Sequence, residues 1–121
     1  MQTKHKIYNP EMECIDREEL RKIQGEHLKK VVAHTYNNVP LFRKRMDEKG
    51  VKPEDIHSVD DIVLLPFTEK TDLRDEFPFG LFAAPKSDIV RIQGSSGTTG
   101  KPIVSGYTQN DIDVWTEMMA R

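Results

Sequence analysis

The residues of this 121-residue chain with the most chemistry in them are Gly94-Ser95-Ser96-Gly97-Thr98-Thr99-Gly100-Lys101-Pro102. Glycine reaches dihedrals closed to other residues, so Gly94, Gly97 and Gly100 let backbone N–H groups turn toward one point. Converging N–H groups form a concavity that favours an anion. Ser95, Ser96, Thr98 and Thr99 add small hydroxyl donors that reach phosphate oxygens without crowding them. Lys101 adds a positive charge at the exit. These residue types in this order predict a clamp for a polyphosphate. A flexible Ser/Gly linker has a similar composition, but this stretch is short and lies between the apolar runs Ile89-Val90-Arg91-Ile92 and Ile103-Val104.

The Walker A loop, G-x-x-x-x-G-K-[ST], is the natural comparison, and it fails in two places. Five residues separate Gly94 from Gly100, and Pro102 stands where a magnesium-binding hydroxyl belongs. The context differs as well. Residues 103–107 after the loop have the pattern of a strand, so the loop is expected at the tip of a β-hairpin, not at the start of a helix.

Ahead of the hairpin, the pattern predicts helices. Residues 1–15 show no period and read as an extended lead-in that needs a surface to order it. Asp16 with Glu19 predicts a capping box. Leu20, Ile23, Leu28, Val31, Val32 and Thr35 then mark one face of a helix that Gly25 weakens. Val39-Pro40 ends it, because a residue before proline avoids the helical region. A second helix is expected over 41–49, stopped by Gly50. A single turn is expected over 53–56, and Ser58 with Asp61 predicts a cap leading into 62–65. Thr68 is the expected cap of a short helix over 69–76. Phe77, Phe79 and Phe82 fall in an aromatic loop, where packing is the expected role and an aryl pocket the alternative. Thr108 with Asp111 predicts a cap for a last helix, with Ile112, Trp115, Met118 and Met119 as its buried face. That stripe is still running at Arg121, which predicts that the pattern belongs to a longer chain.

Composition narrows the function classes. Lys and Arg number 18 against 20 Asp and Glu, for a net charge of −2, so a dedicated nucleic-acid binder is not expected. The Arg43-Lys44-Arg45 cluster is followed by Asp47 and Glu48 and reads as a solvated helix face. One cysteine, Cys14, allows no internal disulfide. No apolar run approaches the roughly 20 residues that span a bilayer. The expected address is the cytoplasm. His27, His34 and His57 lack metal-ligand spacing with Cys14 or each other, so no metal site is assigned.

The motif Ser95-Ser96-Gly97-Thr98-Thr99-Gly100-Lys101-Pro102 resembles the phosphate loop of the adenylate-forming superfamily. Its flanks resemble one family within it, the phenylacetate–CoA ligases. The resemblance is carried by Val90-Arg91-Ile92, by Gly106-Tyr107-Thr108 with Asn110-Asp111-Ile112-Asp113, by residues 66–74 with Phe77-Pro78-Phe79-Gly80, and by residues 33–40. It runs from about Leu20 to Arg121.

The resemblance implies an α+β fold. Residues 1–85 would form a helical module, and residues 86–121 would open a larger α/β adenylation domain with the phosphate loop at 94–102. It implies an aryl acid–CoA ligase that makes an acyl-adenylate and pyrophosphate from ATP, then passes the acyl group to coenzyme A, with Mg2+ in attendance. Ser95, Ser96, Gly97, Thr98, Thr99, Gly100 and Lys101 would bind the ATP phosphates, and Lys70 is a candidate active-site lysine. The catalytic residues proper are not assigned. In such a family the adenine, metal and coenzyme A sites would lie beyond Arg121, so this chain alone is expected to be inactive. The alternatives are an adenylating enzyme that loads a carrier protein and a non-catalytic helical module that self-associates, as a homodimer for example. No nucleic-acid or membrane partner is expected.

Overall fold

The computed structural model describes residues 6–95 and 102–121. The elements in chain order are α1 (Pro10–Glu13), α2 (Arg17–Asn38), α3 (Pro40–Glu48), 3-10 turns at Pro53–Asp55 and Val59–Leu64, α4 (Lys70–Asp75), a 3-10 turn at Lys86–Asp88, β1 (Ile89–Gly94), β2 (Val104–Thr108) and α5 (Gln109–Ala120). This is the expected mixed α+β arrangement, with helices first and a two-stranded hairpin after them.

Helix α2 begins where the sequence predicts. The Asp16 carboxylate accepts the N–H groups of Glu18 and Glu19 at 2.8 and 3.4 Å. Glu19 is turned to the ammonium of Lys22 at 3.2 Å instead of returning to the cap. Val39, extended before Pro40, ends the helix. The guanidinium of Arg43 closes the same end. Its Nε and Nη2 donate to the carbonyls of Tyr36 and Asn37 at 2.8 and 2.7 Å. The basic cluster is therefore not a wholly solvated face. Arg43 satisfies helix carbonyls that would otherwise lack donors, and Arg45 is bound to α4.

The core is small and lies between α2 and α3. Val32, Met46 and Ile56 are buried together, with Leu28, Tyr36, Phe42, Val51 and Leu65 packed against them. Gly50 ends α3 in the left-handed region, at φ 69°. Gly25 carries the correction of most consequence. It does not merely weaken α2. It is buried where that helix meets the Val59–Leu64 turn, and an added Cβ would lie 3.3 Å from the Val59 nitrogen and 3.5 Å from Ser58 Cα. The turn itself is capped as predicted, with Asp61 accepting the N–H groups of His57 and Ser58 at 2.9 and 2.8 Å.

Three further expectations are revised. Helix α4 starts at Lys70, with Glu69 and not Thr68 as its cap, because Asp72 accepts the Glu69 N–H at 2.7 Å. The lead-in contains the one-turn α1, capped by Asn9 Oδ1 on the Met12 N–H at 3.2 Å. The Asn9 amide also donates to Glu117 Oε1 at 2.8 Å, so the surface that orders the lead-in is α5. The Trp115, Met118 and Met119 stripe is not buried. These side chains are 39%, 53% and 76% exposed, because among the described residues α5 packs mainly on β2. The Thr108–Asp111 cap forms as expected.

Candidate functional site

The hairpin fixes the two ends of the Ser/Thr/Gly stretch. Strands β1 and β2 pair antiparallel, Gln93 opposite Ser105 and Gly94 opposite Val104. One more rung follows at the mouth. The Ser95 N–H donates to the Ile103 carbonyl at 3.0 Å, and the Ile103 N–H donates to Ser95 Oγ at 3.4 Å. After a register shift between Ile89 and Arg91, the ladder runs regularly from Arg91 to Ser95. Ser95 is the one hydroxyl of the predicted set within the described residues. Ser96, Gly97, Thr98, Thr99, Gly100 and Lys101 lie outside them.

The hairpin is anchored by an aromatic contact that composition alone does not reveal. Gly106 on β2 has no side chain because the Phe82 ring occupies the space a Cβ would need. A glycine inside a strand marks such a close approach. Phe82 in turn meets Phe79 edge-on, with ring centroids 5.2 Å apart. The Lys86 ammonium lies 4.5 Å from the Phe79 centroid. Phe79 and Phe82 therefore do the packing expected of them, while Phe77 is 37% exposed.

Phe82 also lines a cleft of about 540 Å³ between the helices and the hairpin, together with Leu73 on α4, His34 on α2, Ile89, Val104 and Asn110. The volume is in the range of small-molecule sites. On the outer side of the hairpin, the Arg91 guanidinium lies 5.4 Å from the Trp115 ring, and Trp115 lies 5.5 Å from Tyr107.

An ion pair to α3 holds helix α4. Arg45 on α3 reaches Asp72 with two nitrogens, at 2.6 and 2.7 Å, and donates to the Phe67 carbonyl at 2.9 Å. Asp72 is 7% exposed. The Arg45 hydrogen bonds, and then the Glu69 N–H, hold its carboxyl below the usual carboxylate range despite its burial. Lys70, the candidate lysine, is the first residue of α4 and is exposed. Charge pattern alone does not single out Arg45 or Asp72. The available signal was Asp72 three residues after Glu69, which is cap spacing. Among the described residues no group of three or more His, Cys, Asp or Glu side chains comes together to hold a metal ion.

No family model matches the chain. Its sequence is 51% identical over 115 residues to the phenylacetate–coenzyme A ligase of Thermus thermophilus, covering 95% of this chain and 26% of that protein. It is 52% identical over 110 residues to the enzyme of the same name from Aromatoleum evansii, covering 91% of this chain and 25% of the relative. The Escherichia coli phenylacetate–coenzyme A ligase is 50% identical over 104 residues, covering 86% of this chain and 24% of that protein. Two solved structures share the fold. A 2-hydroxyisobutyryl-CoA ligase in complex with 2-HIB-AMP and CoA superposes on 88% of this chain and 24% of its own, at 29% identity and a TM-score of 0.78. The same ligase in its postadenylation state, in complex with R3-HIB-AMP, covers 100% of this chain and 26% of its own, at 25% identity and a TM-score of 0.83. The chain spans about a quarter of the length of the relatives it matches.

Proposed function

We propose, on the premise that the chain is a relative of the phenylacetate–CoA ligases and spans about a quarter of their length, that it supplies the triphosphate clamp of an ATP-dependent aryl acid–CoA ligase. The reaction would join phenylacetate or a close aryl acid to coenzyme A through an acyl-adenylate, releasing AMP and pyrophosphate. The observation that carries the reading is the closed ladder at Ser95 and Ile103. A Ser/Thr/Gly run held between paired strands is a loop of fixed span, not a linker.

The chemistry asks for such a loop. A carboxylate is a poor electrophile, and adenylation gives it a good leaving group. Negative charge builds on the departing pyrophosphate, and donors already aimed at it lower the barrier. Ser95, Ser96, Thr98, Thr99, Lys101 and the N–H groups of Gly97 and Gly100 are the residues for that task. Lys70 is the second cation of the reading, and its exposed place at the start of α4 leaves its ammonium accessible to an anion. Mg2+ would neutralise phosphate charge when bound. The proposed division places the helical module at 1–85 and the opening of the adenylation domain at 86–121.

A cytoplasmic setting and the absence of a nucleic-acid partner are supported by the single cysteine and the net charge of −2. Among the described residues no helix is long and apolar enough to cross a membrane. A second reading, self-association as a homodimer, is supported by the exposed Val114, Trp115, Met118 and Met119 on α5. Sedimentation velocity tests it, and a clean monomer at micromolar concentration counts against it.

The clamp is tested in a chimera, with residues 1–121 replacing the aligned segment of the Thermus thermophilus ligase. Phenylacetate-dependent exchange of pyrophosphate into ATP is expected. A folded chimera that binds phenylacetate but exchanges no pyrophosphate would overturn the reading.

A further inference from the structure

We infer that the cleft between the helices and the hairpin is a binding site for a small uncharged aromatic molecule whose polar end accepts a hydrogen bond. The site is built from α2, α4, residues 81–84, the paired strands and the first turn of α5. It is independent of the proposed phosphate clamp, and either can fail without the other.

The walls set the shape of the occupant. Val31 of α2, Leu73 of α4, Phe82, Ile89 and Val104 give the cleft its large apolar side chains. Ala83, Ala84 and Gly106 beside them are small. Small residues next to a ring leave room for a second planar group. Phe82 is held by its contacts with Gly106 and Phe79, so the ring it offers to an aromatic partner is already fixed in place. Val31 is 60% exposed although it lies in the wall of a cleft. A large apolar side chain left wet inside a concavity is the surface a ligand ring would cover.

The polar groups set the charge. His34 follows Val31 by three residues and shares its face of α2. The Asn38 amide nitrogen donates to the His34 carbonyl at 2.8 Å, which fixes the orientation of that amide, and it lies 3.3 Å from His34 Nδ1. An amide nitrogen only donates, so Nδ1 accepts and the neutral ring carries its proton on Nε2. The exposed imidazole therefore offers one N–H donor at the cleft. Asp111, in the first turn of α5, also lines it. The Asp111 carboxylate accepts the N–H and the hydroxyl of Thr108, both at 2.8 Å. Among the described residues that line the cleft there is no lysine or arginine. An anion there would meet the Asp111 charge with no cation to offset it. The aryl acid of the proposed reaction is thus a poor occupant, and an uncharged ring bearing a carbonyl is a good one.

Phenylacetamide and phenylacetate are the probes, because they share a shape and differ in charge. Binding to the 121-residue chain is followed at neutral pH in proton–nitrogen correlation spectra. Saturable shifts are expected at the backbone amides of Ala83, Ala84 and Ser105. Phenylacetamide should bind about fivefold or more tightly than phenylacetate, the effect of one like charge about 4 Å away even in water. His34→Ala removes an exposed side chain and should weaken phenylacetamide about fivefold, the scale of one hydrogen bond, with circular dichroism unchanged. Asp111→Asn keeps the shape and an oxygen for the Thr108 N–H, and it should narrow the gap between the two probes. The inference is overturned if phenylacetamide gives no saturable shift up to about 10 mM, the weak end for a ligand of this size. It is equally overturned if phenylacetate binds as tightly, if the shifts fall on the Trp115 side of α5 instead, or if His34→Ala leaves the affinity intact.

Discussion

Arg45 and Asp72 meet in a two-pronged ion pair that bridges 27 residues of sequence, at 2.6 and 2.7 Å. The pair ties α3 to α4, the helix that begins with Lys70. Asp72 is used three times over, by two guanidinium nitrogens and by the N–H of Glu69. Removing Arg45 leaves the Asp72 carboxylate buried without compensation, which costs more than the pair contributes. Arg45→Met and Asp72→Asn are both expected to lower the melting temperature by several degrees. The double variant should lose less than the sum of the two single losses, because neither charge is then stranded. Additive losses in differential scanning calorimetry would show that the two groups are not coupled.

The same pair sets a pH dependence. The Asp72 carboxyl titrates below its ordinary value of 3.8 in the folded chain, first because of Arg45 and then because of the Glu69 N–H. A depressed folded value means that the unfolded state takes up the proton first as pH falls. The pair's contribution is therefore complete above about pH 4 and is lost as pH drops through the folded value. Urea midpoints measured from pH 6 down to pH 2 should fall less steeply at the acid end in Asp72→Asn than in the parent. Parallel curves would mean that Asp72 is not one of the groups behind acid unfolding.

Met46 has no exposed surface and sits at the centre of the small cluster with Val32 and Ile56. Met46→Ala removes three heavy atoms from a core with little else in it. The expected loss is about 2–5 kcal/mol, the usual range for a buried Met to Ala change. A core this small makes the upper half of that range hard to survive, so part of the population should be unfolded without denaturant. Equilibrium urea unfolding measures it, and a loss below about 1 kcal/mol would mean that the site collapses around the smaller side chain.

Gly25 gives a prediction opposite to helix propensity. A side chain there favours the helical state of an isolated peptide by up to about 1 kcal/mol. In the folded chain it meets backbone, the Val59 nitrogen and the Ser58 Cα, not the flexible tip of a side chain. Gly25→Val is expected to destabilise by about 1–3 kcal/mol through overpacking. The Val59–Leu64 turn should separate from α2 first, which amide exchange at Asp61 and Ile62 would detect. A more stable variant with unchanged exchange would place the turn further from the helix than it is.

Local rules made most of the helical part legible. Asp16, Ser58, Thr108 and Val39-Pro40 act through neighbours within four residues, and each marks an element boundary in the structure. The hairpin was legible because two apolar runs flank a glycine-rich stretch. What could not be read depends on partners distant in sequence. Arg45 and Asp72 look like two charges among many until the fold brings them together. Gly25 and Gly106 look like weak points until Val59 and Phe82 are seen to fill their space. The Trp115 stripe is amphipathic as its spacing predicts yet exposed, because amphipathicity reports that a face wants a partner and not which residues supply one.

Lys101 is the residue on which the proposed chemistry leans most. It is the charged member of the loop and follows its last glycine, Gly100, in the sequence. If it stabilises charge on the departing pyrophosphate, its effect appears in the transition state more than in the bound substrate. In the chimera, Lys101→Ala should then lower kcat for pyrophosphate exchange by roughly 100- to 1000-fold, the scale seen when one preorganised donor is lost. KM for ATP should change far less. Lys101→Arg keeps the charge but widens it into a fork, and it should recover part of the rate without restoring it. A rise in KM with kcat unchanged would assign Lys101 to uniform ATP binding instead. Stopped-flow measurement of the adenylation step alone separates this chemistry from product release, and the loss should appear there in full.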